Sequence, residues 1–395
     1  MRIFISTGEV SGDLQGALLI EALKRCVDSS NSHSSSNSNS SDLEIVALGG
    51  EKMAAAGAHL LGNTVSIGSF GFVESLSFVL PTLKIQGRAK KYLKENPPDV
   101  VVLIDYMGPN LAIGNFMRRH LPNVPIVYYI APQLWVASMK SGYTKNVIDI
   151  SDRLLAIFPG EADYFRSKGA NVSFVGHPLV DRMKSFPNRE TARTKLTMDD
   201  DNIHVALLPA SRKQEIKNLL PIIFEAAKQL QDKLPQIKFW IPLSLEIYRQ
   251  DIQQAIQKYG LQATIISGQQ KEVLSAVDLA ITKCGTVNLE LGLLNIPQVV
   301  VYRLNALTYW IGTQILQIKY PFASPVNLLV MGEIVPELIQ DKATSENITE
   351  AAMEFLLNPQ RRKQLNMDYQ KMQQEMGQEG VCDRAAKEIV QMISN

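Results

Sequence analysis

Short apolar runs recur along the chain. Each is followed by a turn of small residues and then by apolar residues at helical spacing. In the first half Arg2 to Ser6, Leu43 to Leu48, Asp99 to Ile104, Val124 to Ile130, Arg153 to Phe158 and Asn171 to Val175 read as strands. In the second half the same reading falls on His204 to Leu208, Ile237 to Ile241, Ala263 to Ile266, Asp278 to Thr282 and Gln298 to Tyr302. Runs as unbroken as Val100-Val-Val-Leu-Ile104 fit strands of a parallel sheet covered on both faces. Leu14 to Arg25, with Leu14, Ala17, Leu18 and Leu23 on one face, and Leu219 to Leu230 read as helices between them. Asn347 to Leu357, Arg361 to Met376 and Cys382 to Ile393 read as amphipathic helices at the end. The alternation predicts an α/β chain of two Rossmann-like, doubly wound domains.

Breaks in the pattern set the expected boundaries. Ser29 to Ser41 is almost all Ser and Asn, which predicts a flexible surface insertion. Pro187 to Asp201 is polar and contains proline. The expected organisation is an N-terminal domain over 1–181 with the 29–41 insertion, a linker over 182–201 and a second domain over 202–360. C-terminal helices over 361–395 are expected to pack back on the first domain or on a partner subunit. Two such halves predict ligand binding in a cleft between strand C-termini.

Composition narrows the function classes. At 395 residues, 46% hydrophobic and 20% charged, the chain reads as an ordinary soluble protein with more than one core. A net charge of +1 gives no electrostatic case for nucleic acid. Cys26, Cys284 and Cys382 lack C-x-x-C spacing, and the 5 histidines form no cluster with ligand spacing, so neither a metal nor a cofactor is expected. Neither half carries G-x-G-x-x-G or a Walker A motif. Met1-Arg-Ile-Phe-Ile-Ser6 enters a strand at once, unlike a signal peptide, and no apolar run reaches the ~18 residues of a membrane span. A cytoplasmic protein is expected.

Two stretches stand out chemically. Asp278-Leu-Ala-Ile-Thr-Lys-Cys-Gly-Thr-Val-Asn-Leu-Glu290 reads as strand, tight turn and helix start, the arrangement that offers backbone N–H groups to an anion. There Gly285 lets a phosphate approach, Thr286 caps or donates, and Glu290 is placed to accept from ribose hydroxyls. Val65 to Leu83 is apolar, aromatic and broken by glycine, and Lys84, Arg88, Lys90, Lys91 and Lys94 follow. It reads either as a core helix with a solvated basic face or as a surface that rests on a membrane.

Several short landmarks, in this order and spacing, resemble one family. They are Gly8-Glu-Val-Ser-Gly-Asp13, Asp105 with Asn110, Tyr129-Ile-Ala-Pro132 with Trp135, Phe174-Val-Gly-His177, Leu207-Leu-Pro-Ala-Ser-Arg212 with Glu215, Gly285-Thr286 with Glu290, Tyr302-Arg303 and Asn327-Leu-Leu329. The chain resembles the bacterial lipid-A-disaccharide synthases, glycosyltransferases of the GT-B fold, over nearly its whole length. The resemblance implies inverting transfer from UDP-2,3-diacylglucosamine to 2,3-diacylglucosamine 1-phosphate, with UDP released and no metal required. It also implies an acylated acceptor at the inner face of the cytoplasmic membrane, and it leaves a homodimer open. Departures fall at Asp105-Tyr-Met-Gly-Pro-Asn110 and Trp135-Val-Ala-Ser138, in the acceptor half. They keep two other readings in view: a related enzyme with a different lipid acceptor, and a non-catalytic nucleotide-sugar binding protein.

Inverting glycosyl transfer needs a base, stabilisation of the departing diphosphate and sugar positioning. Asp105, at the end of a buried strand, is the expected base; Glu9 is the second candidate, and Asp13 is expected to cap the first helix. Arg212, with Ser211, is expected to hold phosphate oxygens. Gly285, Thr286, Glu290, Arg303 and Asn327 complete the donor set, with Asn327 placed to bond either the sugar or its own turn. Ser11, Asn110, Trp135 and His177 are the acceptor candidates.

Overall fold

The strand Val100–Ile104 is fully buried along its length and lies in the middle of the first sheet, as its unbroken apolar run requires. In the computed structural model that sheet contains β1 (Arg2–Ser6), β2 (Glu44–Gly49), β3 (His59–Asn63), β4 (Val100–Ile104), β5 (Ile126–Tyr129), β6 (Arg153–Ala156) and β7 (Val172–Phe174). They are parallel, in the order β3-β2-β1-β4-β5-β6-β7. The second sheet contains β8 (Ile203–Leu208), β9 (Ile237–Pro242), β10 (Ala263–Ile266), β11 (Leu279–Lys283), β12 (Gln298–Tyr302) and β13 (Glu337–Ile339). Its order, β10-β9-β8-β11-β12-β13, is also parallel and repeats the first. The structure describes residues 1–32, 43–65, 79–136, 141–209, 213–243, 245–304 and 321–394.

In both sheets the connections reverse direction beside the first strand: between β1 and β4, and between β8 and β11. This is the point where doubly wound sheets open a crevice at their strand C-termini. The turn after β4 carries Asp105, and the turn after β11 carries Cys284-Gly285-Thr286.

The chain divides into one unit of Met1–Asp181 with Met376–Asn395 and a second of Arg182–Glu375. The last helix, Val381–Ser394, packs on the first, Val10–Ser32. The Asp181 carboxylate caps it, accepting from the Gly380 and Cys382 N–H groups at 2.6 and 2.8 Å. Arg384 donates to the Val175 carbonyl at 2.8 Å. Gly176 has φ +90°, and a Cβ there would sit 3.0 Å from the Met376 carbonyl, so only glycine fits this crossing.

The structure differs from the sequence reading in several places. The first helix runs to Ser32, into the start of the Ser/Asn stretch, and Ser29 bonds back to the Arg25 carbonyl at 2.8 Å. The rest of that insertion lies outside the described residues. β3 and β13 were not read from the sequence. Both are short edge strands with half-exposed residues and no apolar run. Residues 182–201, read as a linker, carry the helix Arg189–Leu196, which packs on Gln270–Ala276. Charge chemistry holds it there: Arg189 and Arg193 donate to the Asp278 carboxylate at 2.5 and 3.1 Å. Of the aromatic segment, 66–78 lies outside the described residues; Val79–Glu95 is a helix that leaves Leu80 and Leu83 exposed.

Candidate active site

The turn after β4 is strained and held from every side. Asp105 and Tyr106 have φ +47° and +48°, a left-handed pair without glycine. Such residues cost on the order of 1–3 kcal/mol each and persist only where the surroundings over-determine them. Here the Asp105 N–H donates to the Ile130 carbonyl at 3.0 Å. Its carbonyl accepts from Tyr128 Oη at 2.9 Å and Asn110 Nδ2 at 2.7 Å. Asn110 is fully buried, and it also donates to Ile104 and accepts from Ser6 Oγ at 2.7 Å. These bonds make Asn110, an acceptor candidate by sequence, part of the scaffold that builds this turn. Tyr106 bonds Thr82, and its ring lies over Gly8, where a Cβ would come within 2.1 Å of it. Gln86 donates to the Pro109 carbonyl at 2.9 Å and ties the same loop to the helix Val79–Glu95.

The carboxyl carried by this turn has a raised proton affinity. Burial is the largest cause, the charge of Glu9 adds to it, and a bond from the Tyr106 N–H offsets part; together they bring Asp105 to about 6. Glu9, the second base candidate, lies close enough for its charge to raise Asp105. Ser11 is half-buried in the first turn of the helix that follows. Asp13 does not cap its own helix. Its carboxylate accepts from the Gly50, Lys52 and Met53 N–H groups at 2.9, 3.1 and 3.1 Å, capping Glu51–Ala55.

A second acid that the sequence reading missed lies behind the same strand ends. Glu161, in the first turn of Pro159–Ser167, is completely buried. One carboxyl oxygen accepts from the Ile157 and Phe158 N–H groups at 2.9 and 3.4 Å, and the Ala131 N–H is also directed at the carboxyl. Burial pushes Glu161 up to about 8, and the charge of Asp105 contributes. Beside it Trp135, Phe158 and His177 form an aromatic wall, with ring centroids 6.2 Å apart for the first pair and 5.3 Å for the second. His177 is buried, accepts from the Leu179 N–H at 3.2 Å, and is lowered by burial to about 3, so it is neutral in the working range.

The turn after β11 is built differently. Its N–H at Gly285 donates to Asn288 Oδ1 at 2.7 Å, and the N–H groups of Asn288 and Leu289 donate to the Gly285 and Thr286 carbonyls. Among the described residues a Cβ on Gly285 would meet nothing nearer than Lys283 at 3.9 Å. Asn288 is fixed from behind by a fully buried network. It donates to Gln298 Oε1 at 2.9 Å, Gln298 donates to Tyr369 Oη at 3.0 Å, and Tyr369 donates to the Ile296 carbonyl at 3.0 Å. Sequence reading missed these three; the one signal was a glutamine opening an otherwise apolar strand. Glu290 is buried and ion-paired with Arg182. Arg303 is exposed just after β12. Asn327 is fully buried and bonds its own turn: it donates to Val335 and Glu337, and accepts from the Ile334 and Val335 N–H groups. All of its bonding capacity is used there, which removes it from the donor set. Ser211 and Arg212 lie outside the described residues.

Two Rossmann-type units in the same strand order, each with its turn at the switch point, define the GT-B class. S. aureus MnaA, in a co-structure with UDP, shares this fold at a TM-score of 0.64 and 15% identity, over 100% of this chain and 98% of that one. The model of the family described as Lipid-A-disaccharide synthetase matches residues 3–393, and the chain belongs to that family. The lipid-A-disaccharide synthase of Gloeothece citriformis is 56% identical over 393 residues, covering 100% of both chains. That of Synechocystis sp. is 50% identical over 398 residues, covering 100% of this chain and 98% of its own. The chain is accordingly a UDP-sugar-dependent glycosyltransferase that forms the lipid A disaccharide.

Proposed function

We propose that the donor is UDP-2,3-diacylglucosamine, the acceptor 2,3-diacylglucosamine 1-phosphate, and Asp105 the base. In this reading Asp105 takes the proton of the acceptor hydroxyl as its oxygen bonds to the donor sugar's anomeric carbon and the bond to UDP breaks, with inversion. The observation that carries the role is the combination at Asp105: a left-handed turn pinned by Ile130, Tyr128 and Asn110, bearing a carboxyl whose proton affinity is raised to about 6. A base poised near neutral pH is what proton abstraction from a hydroxyl requires.

The donor reading rests on Gly285, Thr286 and Glu290 at the turn after β11, with Ser211, Arg212 and Arg303 supplying polar and positive groups to the diphosphate. On the acceptor side Ser11, Trp135 and the neutral His177 follow β1, β5 and β7, strands of the same sheet whose β4 leads into Asp105. A peripheral association with the inner face of the cytoplasmic membrane suits an acylated acceptor. It is supported by Leu80 and Leu83, which are 70% and 60% exposed on a helix that also carries Lys84, Arg88, Lys90, Lys91 and Lys94. No helix among the described residues is long and apolar enough to cross a membrane.

Mass spectrometry of the products formed from this donor and acceptor tests the reading. A disaccharide 1-phosphate carrying all the acyl chains is expected, with one UDP per linkage. UDP released with a free sugar, or no turnover until another lipid acceptor is supplied, would contradict it.

A further inference from the structure

The buried carboxylate at the donor turn does not stand alone. Glu290 sits in the first turn of Val287–Leu293, and its side chain is only 5% exposed. A carboxylate so buried either takes up a proton or is matched by a cation. The match is Arg182, itself 18% exposed, whose Nη1 pairs with Glu290 Oε1. The Arg182 guanidinium is in turn held over the Phe186 ring, 5.4 Å from its centroid. Lys271 lies over the same ring at 5.7 Å and donates to Ser185 Oγ at 2.7 Å, so the segment that carries Arg182 is fixed as well.

We propose that Arg182 is a positioning residue for the donor: it keeps Glu290 ionised and turned so that the other carboxylate oxygen accepts from the ribose hydroxyls of the UDP-sugar. This rests on the reading of Glu290 as the ribose acceptor. A protonated carboxyl would offer fewer acceptor sites and could rotate; an ionised one anchored through one oxygen presents the other in a single direction. Arg182 then acts on the nucleoside without touching it.

Calorimetry with UDP, 2′-deoxy-UDP and 3′-deoxy-UDP on the full chain separates the two ideas. The unchanged protein is expected to prefer UDP by roughly 10-fold or more, the worth of a hydrogen bond to a charged group. Glu290→Gln is expected to erase most of that preference. Arg182→Gln is expected to erase it to the same extent, Arg182→Lys to restore part of it, and the Arg182→Gln/Glu290→Gln double variant to bind UDP as Glu290→Gln does. Full preference in Glu290→Gln would overturn the ribose reading itself. Loss in Glu290→Gln with full preference in Arg182→Gln would overturn the role of Arg182 alone. A double variant weaker than Glu290→Gln would make Arg182 a direct ligand group. Should Arg182→Gln not fold, the double variant, which carries no unmatched charge, and Arg182→Lys decide the matter; a folded Lys variant with no preference would count against the proposal.

Discussion

β4 and β11 occupy the same place in their sheets, each beside the first strand of its unit, yet the turns that follow them are opposites. The turn at Asp105 forces non-glycine residues into a left-handed conformation and sets a half-buried carboxyl beside a second acid, Glu161. The turn at Gly285 is relaxed, and its N–H at Gly285 is taken by Asn288. Strain and desolvation coincide at the residue proposed as the base. The turn at Gly285 has a buried polar network of Asn288, Gln298 and Tyr369 behind it. One topology thus carries a carboxyl of raised proton affinity in one unit and a relaxed turn in the other.

Asp105→Asn breaks the first half of this contrast. It keeps the shape and the backbone bonds but removes the base, so kcat should fall about 10²–10⁴-fold while UDP affinity stays nearly constant. A fall in UDP affinity with kcat retained would make Asp105 structural. Arg212→Ala should lower kcat/KM by roughly 10²–10³-fold through lost stabilisation of the leaving diphosphate. Near wild-type kcat/KM in the folded variant would remove Arg212 from the donor site.

The relaxed turn is tested from behind. Asn288→Ala leaves Gln298 Oε1 and the Gly285 N–H without their partner, at a cost on the order of 1–3 kcal/mol. Chemical denaturation should show that loss together with a rise in donor KM and little change in acceptor KM. Stability loss without the KM change would mean that the network supports the fold and not donor binding.

Glu161 gives a pH-dependent effect with a definite sign. Its folded value, about 8, lies above its ordinary 4.5, so the folded protein holds this proton more tightly than the unfolded chain. The associated stability is fully present below about 4.5 and is lost as pH rises through about 8. Glu161→Gln, neutral throughout, should flatten that slope, and its stability relative to the native protein should improve between those limits. Parallel stability curves for the two proteins across this window would place the Glu161 proton elsewhere.

What the sequence made legible follows the same contrast. Val100-Val-Val-Leu-Ile104 announces a central strand because both faces must be apolar, and it delivers Asp105 to a strand end without further information. His59–Asn63 and Glu337–Ile339 lack that signal because edge strands need pair on one side only. Glu161 and Arg182 were invisible for another reason: a charged residue in a helical stretch reads as solvated surface, and only packing shows Glu161 buried and Arg182 largely covered. Asn110, Asn327 and Asp13 were found as polar residues at loops, but their partners lie in other elements, and those partners decide between binding a ligand and holding a turn.

The pH dependence of kcat/KM tests the role of Asp105 most directly. An acid limb with a midpoint near 6 is expected, activity rising as Asp105 loses its proton, and the residual activity of Asp105→Asn should lack that limb. An identical acid limb in Asp105→Asn would contradict the account and assign the proton to another group.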